Sequence, residues 1–247
     1  MTKYILFDTE TTGNQADDRI IQIGAMVIGA KGEVEVYDEL CSSEIPIKTE
    51  AMEVHNITPD VIEGKAPFTS TRFWRDLGAL NNENNYLIAH NISFDVGMLK
   101  KEGFQNTMKL IDTLRCAKHL FPDESYHRLQ YLRYSLELYK KEQAEAIKHN
   151  ITIKAHDAIG DVLVMKLFLS ELVAKVKEQY PGTNPMLKLE ELSNTPVMMK
   201  SFKFGKYKGE QIEDIAHSDV RYIKWMLKSL ELDEDLKYTL ERVLENV

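Results

Sequence analysis

Apolar residues come first in short blocks and later with helical spacing. Residues 4–10 form an apolar run ending in acids, as expected of a buried strand that delivers polar groups at its tip. Residues 19–28 and 33–40 are two further strand-like runs separated by Gly29-Ala30-Lys31-Gly32, which predicts a hairpin. Within 68–80, Phe73, Leu77 and Leu80 share one helical face with Trp74 beside them. Residues 86–89 read as a strand, after which Ser93 is placed to cap a helix reaching about Glu102, with Gly103 as its stop. Leu110-Ile111 predicts one more strand, and helices are expected over 113–120, 127–138 and 157 to about 180. Residues 140–154 are polar and fit no single element. The order, an antiparallel opening and then alternating helices and strands, predicts an α/β fold: a mixed sheet with helices on both faces.

Three prolines and a glycine between 181 and 196 predict a linker holding at most a short helix over 187–192. It divides a domain over 1–180 from a small, mainly helical module over 197–247, with helices expected over 220–230 and 233–244. In that module Lys200, Lys203, Lys206 and Lys208 interleave with Phe202, Phe204 and Tyr207. Two readings stand side by side. The aromatics and lysines form a patch for nucleic acid or a protein partner, or the aromatics are the module's own core, a role expected of Trp225 in any case.

With 247 residues and 43% hydrophobic content the chain can bury a full core. The N-terminal apolar run is too short for a signal peptide or a membrane span, so a cytoplasmic protein with no membrane partner is expected. Cys41 and Cys116 lack metal-ligand spacing and read as structural or incidental. The formal charge of −8 argues against bulk electrostatic binding of nucleic acid. An acid cluster loaded with divalent cations has much of its charge cancelled, so a polyanionic substrate stays open.

Asp8 and Glu10 stand two apart on a strand and so project from one face. They suit a hard divalent cation such as magnesium, or a solvated strand end. Asp95, in the stretch His90-Asn91-Ile92-Ser93-Phe94-Asp95, falls in the first turn of a helix, where an acid is stabilising whatever else it does; Phe94 would by default be core. On one continuous helix His156 and Asp161 would point about 140° apart. They can converge only if His156 precedes the helix on a loop, with Asp157 as N-cap; alone, the pair could equally be a surface one.

Taken together, DTETTG at 8–13, HNISFD at 90–95 and HDAIGD at 156–161 resemble the motifs of the DEDDh branch of the DEDD exonuclease superfamily, in the same order. Residues 54–58 (VHNIT) and 111–113 (IDT) agree, and the resemblance spans about 3–176. The tail, FKFGKYKG at 202–209 and YIKW at 222–225, is similar to that of the bacterial exodeoxyribonuclease X family. The resemblance implies a ribonuclease H-like fold and hydrolysis of DNA from 3′ ends, single-stranded or frayed, supported by two Mg2+ ions for which Mn2+ can substitute. It implies that Asp8 bridges the ions, Glu10 and Asp161 complete the first, Asp95 supports the second, and His156 is the general base. Thr11, His55 and Phe94 would contact the terminal nucleotides. Partners would include replication or repair proteins. The motifs leave open a ribonuclease trimming RNA 3′ ends, and an accessory proofreading or binding subunit of a DNA polymerase.

Overall fold

The computed structural model describes residues 1–153 and 157–245. These divide into two compact units, Met1–Ser193 and Asn194–Val247. In the first, strands β1 (Tyr4–Thr11), β2 (Ile20–Ile28) and β3 (Val34–Leu40) are followed by helices α1 (Thr49–His55), α2 (Pro59–Ile62) and α3 (Arg72–Leu80). Strand β4 (Tyr86–Ala89), α4 (Ile92–Lys101) and β5 (Lys109–Asp112) come next. The unit closes with α5 (Thr113–Leu120), α6 (Leu129–Ser135), α7 (Tyr139–His149), α8 (Ala158–Gln179) and α9 (Pro185–Ser193).

The sheet order is β3-β2-β1-β4-β5. The first three strands are antiparallel, whereas β4 and β5 run parallel to β1. The expected mixed sheet is therefore present, with a core on each face. Leu6, Met26 and Ile88 point to α5, α6 and α8, while Ile5, Phe7 and Leu87 point to α3 and α4. This two-residue alternation puts Asp8 and Glu10 on the α8 face and Thr9 on the α4 face. Cys41 and Cys116 are buried free thiols.

Several expected boundaries move, each for a visible reason. The helix expected over 68–80 is split by Thr71, which is extended and whose hydroxyl accepts from the Trp74 N–H at 3.1 Å, so α3 starts at Arg72. Asn91, not Ser93, occupies the N-cap position of α4. The helix expected from 127 begins at Leu129, because the His127 carbonyl accepts a hydrogen bond from His90 at 2.8 Å and Arg128 stays extended. The ambiguous stretch 140–154 contains most of α7.

The segment expected as a linker is mostly α9. Asn184 Oδ1 accepts from the N–H groups of Met186 and Leu187, Pro185 opens the helix, and Leu189 and Leu192 join the core beneath α8.

The second unit has its own core of Phe202, Ile212, Ile215, Ala216, Ile223, Met226, Leu236 and Leu240. These side chains come from a turn-rich segment and helices α10 (Ile212–Ser218), α11 (Val220–Ser229) and α12 (Glu234–Glu245). Trp225 is not among them: it is 49% exposed, because Ile223 and Met226 already fill the inward face of α11. Among the described residues no helix is long and apolar enough to cross a membrane.

Candidate active site

The C-terminal end of β1 is where helices from both faces of the sheet converge. On the α8 face, Asp8 lies opposite Gly24 of β2 in the strand register. A Cβ on Gly24 would lie 2.3 Å from the Ala158 carbonyl carbon and 2.3 Å from the Ile159 nitrogen. The missing side chain lets the first turn of α8 rest directly on the sheet beside Asp8. Asp161 belongs to that turn.

Gln22, buried in β2, anchors the same end: its amide nitrogen donates to Asp157 Oδ1 at 2.7 Å and to Asp38 Oδ1 at 3.1 Å. Asp157 does hold the N-cap position of α8, but its side chain makes no capping bond there. Its other oxygen is buried with no partner among the described residues.

Across the sheet, Asp95 lies in the first turn of α4 and is buried. One oxygen accepts from the Thr9 hydroxyl at 2.7 Å and from the Thr9 N–H at 3.2 Å. The start of α4 is fixed by Asp112, whose Oδ1 accepts from the N–H groups of Asn91 at 3.0 Å and Leu114 at 2.9 Å. His90, first residue of the second motif, is a structural bracket. Its ring bonds to the Thr113 hydroxyl and the His127 carbonyl, and burial holds its pKa down at about 4, so it stays neutral.

Asp161 is held from a third direction. Gln130 of α6 donates to its Oδ1 at 2.5 Å, and Gln130 in turn accepts from Arg133 at 3.2 Å. Arg133 is fixed by two 2.5 Å bonds to the buried Glu142 of α7. This chain of contacts orients the Gln130 amide so that its NH2 faces the carboxylate.

The four carboxylates act on one another. Burial, followed by Asp95, Glu10 and Asp161, pushes Asp8 well above the usual carboxylate range. Burial, Asp161, Asp95 and Asp157 push Glu10 up to about 8. Asp95 is raised to about 7 by burial, against the lowering effect of its Thr9 hydrogen bonds. Among the described residues no three His, Cys, Asp or Glu side chains stand as a ready-made metal cage. The chemistry of the donor set nevertheless fits a hard divalent cation. All its members are carboxylates, and positive charge among them would relieve both repulsion and desolvation.

Beside the cluster opens a cavity of about 610 Å3 whose lining includes Glu10, Thr11, Lys48, Val54, His55 and Phe94. Phe94 is 37% exposed and faces this space, so its default core role does not hold. His55 also lines it, but with both ring nitrogens engaged. Nδ1 accepts from the Ile57 N–H at 3.0 Å, which leaves Nε2 to donate to the Thr11 carbonyl at 3.2 Å. It fixes the backbone at Thr11 from the cavity wall. His156 lies outside the described residues.

Sequence reasoning did not single out Thr9, Gln22, Gly24 or Gln130. Thr9 lies inside the first motif, and a glycine opposite the motif's aspartate could have been read once the hairpin register was drawn. Gln22 and Gln130 leave no local signal.

Residues 5–168 match the family described as Exonuclease, and residues 202–231 match one described as Exodeoxyribonuclease X-like C-terminal. The chain is 25% identical to exodeoxyribonuclease 10 of Escherichia coli strain K12 over 245 residues, 98% of each chain. It is 32% identical to DNA polymerase III subunit epsilon of Treponema pallidum over 189 residues, covering 71% of this chain and 79% of that one. In fold it is similar to exonuclease X in complex with 5′ overhanging duplex DNA, with a TM-score of 0.55 and 20% identity over 78% of this chain and 100% of that one. The chain belongs to the exonuclease family, whose members are metal-dependent hydrolases of phosphodiester bonds.

Proposed function

We propose that this member of the exonuclease family is a 3′ to 5′ exodeoxyribonuclease that works with two Mg2+ ions held by Asp8, Glu10, Asp95 and Asp161. The observation that carries the reading is the gathering of Asp8 and Glu10 at the end of β1 with Asp95 in the first turn of α4 and Asp161 in the first turn of α8, where Glu10 lines the adjoining cavity. The 25% identity to exodeoxyribonuclease 10 along nearly the whole chain favours DNA as substrate.

Metal ions, when bound, supply Lewis-acid stabilisation of charge on the phosphoryl oxygens and lower the pKa of attacking water. The chain's own residues do the rest. Thr9 and Gln130 hold Asp95 and Asp161 in place. The Phe94 ring is positioned to stack on a terminal base, and the Thr11 backbone, fixed by His55, flanks the terminal sugar. His156 takes the proton from the attacking water; the water oxygen bonds to phosphorus as the bond from phosphorus to the 3′ oxygen breaks. The leaving oxygen takes up a proton, giving a nucleoside 5′-monophosphate and a strand one residue shorter with a 3′ hydroxyl.

The test compares a 20-nucleotide DNA labelled at its 5′ end, the same DNA labelled at its 3′ end, and the matching RNA, each with Mg2+. A descending ladder from the 5′ label, immediate release of the 3′ label, and slow RNA turnover are expected. RNA degraded as fast as DNA would move the function to RNA 3′ trimming.

The identity to subunit epsilon supports one second reading, proofreading within a polymerase assembly. Stable co-purification with a polymerase subunit would favour it.

A further inference from the structure

The outward face of α11 is more than a solvated helix surface. Arg221, Lys224, Trp225 and Lys228 all lie on it, at the spacing of one helical stripe, and all are exposed. The inward face is complete without the tryptophan, since Ile223 and Met226 are fully buried. Nothing in the unit's own packing calls for an indole ringed by three cations.

The ring is also held in place. Trp225 lies 5.6 Å from Tyr222, which meets Tyr207 edge-on at 5.0 Å, and Tyr207 in turn lies 6.5 Å from the buried Phe202. Gly205 presses against this ladder: a Cβ there would lie 2.4 Å from the Tyr222 hydroxyl. The close approach pins the lysine-rich turn to the Tyr222 side of α11. Lys203, Phe204 and Lys208 on that turn are exposed. Lys206 is otherwise occupied, bonded to Asp219 at 3.2 Å and lying over the Tyr207 ring.

Charge in this unit is segregated, not in surplus. Residues 194–247 hold nine Lys and Arg against ten Asp and Glu, yet 200–209 and α11 contain no acid. A face that combines exposed cations with exposed aromatic planes matches the two chemistries of an unpaired nucleic-acid strand, phosphate and base. An acidic peptide would use the cations and leave the rings idle.

We propose that Trp225 and Phe204, with Arg221, Lys224, Lys228, Lys203 and Lys208, form a sequence-tolerant binding surface for single-stranded nucleic acid on the second unit. The proposal builds on the DNA reading above by giving the second unit the task of gripping the strand. Trp225 stacks on a base while the flanking cations neutralise neighbouring phosphates.

The test uses the full chain in EDTA, so that binding is read without cleavage, with fluorescein-labelled dT20 followed by anisotropy. Trp225→Ala should weaken binding about tenfold, within the range for losing one stacked base, while Trp225→Phe retains most of it. The triple change R221A/K224A/K228A should lower the slope of log affinity against log salt by about 2, near 0.7 for each lost phosphate contact. In a Trp74→Phe background, dT20 should quench Trp225 fluorescence. All variants should keep the wild-type melting temperature and the wild-type rate with Mg2+ on the p-nitrophenyl ester of thymidine 5′-phosphate, which fills only the hydrolytic site.

Wild-type affinity in Trp225→Ala, or tighter binding to a glutamate-rich 20-residue peptide than to dT20, overturns the proposal. Failure of the wild-type chain to hydrolyse the ester would count against the nuclease reading alone.

Discussion

Gly24→Ala is the sharpest structural perturbation available, because it adds one methyl group at the point where α8 touches the sheet. The new carbon would lie 2.3 Å from two backbone atoms and 2.6 Å from the Ala158 oxygen, with no flexible side chain to yield. Ordinary contact needs about 3.4 Å or more, so the first turn of α8 has to retreat by about 1 Å. Overpacking of this kind costs about 1–3 kcal/mol, or a fall of roughly 3–10 °C in melting temperature for a chain of this size. The retreat carries Asp161 away from Asp8, and a displacement of about 1 Å in a reacting assembly costs about 100-fold in rate.

The assay is kcat on labelled single-stranded DNA with Mg2+, alongside thermal unfolding. Gly78→Ala is the control: it sits in α3 with nothing among the described residues within 4 Å of its would-be Cβ, and should be neutral or slightly stabilising. Wild-type rate and melting temperature in Gly24→Ala would refute the view that close packing of α8 on β2 sets the site.

The metal-free chain should lose stability as pH rises. Glu10 goes from an ordinary 4.5 to about 8 and Asp95 from 3.8 to about 7 in the folded state, so between about pH 4 and 8 the folded chain holds more protons than the unfolded one. Melting temperature in EDTA should therefore fall from pH 5 to pH 8, and Mg2+ should recover most at pH 8; a flat profile would contradict the coupling. Gln130→Leu removes the donor to Asp161 and should cut kcat and Mg2+ affinity about 10–100-fold, with Glu142→Gln in the same direction; unchanged Mg2+ dependence in Gln130→Leu would make that contact incidental. Phe94→Ala should raise KM for DNA about tenfold, as expected for a lost base stack, without lowering the melting temperature, because the ring is already exposed.

Local signals place the carboxylates without assigning them a role, which comes only from the joint resemblance of the three motifs at 8–13, 90–95 and 156–161. A two-residue strand period places Asp8 with Glu10, and helix starts place Asp95 and Asp161 in first turns. What holds them was not legible, since Thr9 to Asp95 spans 86 positions and Gln130 to Asp161 spans 31. Only the folded sheet and helices bring such partners together.

Composition understated the order at 181–196, where the short helix expected over 187–192 runs over Pro185–Ser193 and joins the core of the first unit. Asn184-Pro185 is a capping residue followed by a first-turn proline, a helix start that the same residues could have announced. Trp225 misled in the opposite direction, because size and apolarity predict burial unless smaller neighbours already fill the core.

The proposed function requires Asp8, Glu10, Asp95 and Asp161 to act as one metal-holding unit for hydrolysis of DNA ends. The most direct measurement is the degradation rate of 5′-labelled single-stranded DNA by wild type and Asp8→Asn, each with Mg2+ and with EDTA. The account predicts turnover by wild type with Mg2+ alone, with Asp8→Asn folded but inactive. Undiminished degradation by wild type in EDTA, or by Asp8→Asn in Mg2+, would contradict it.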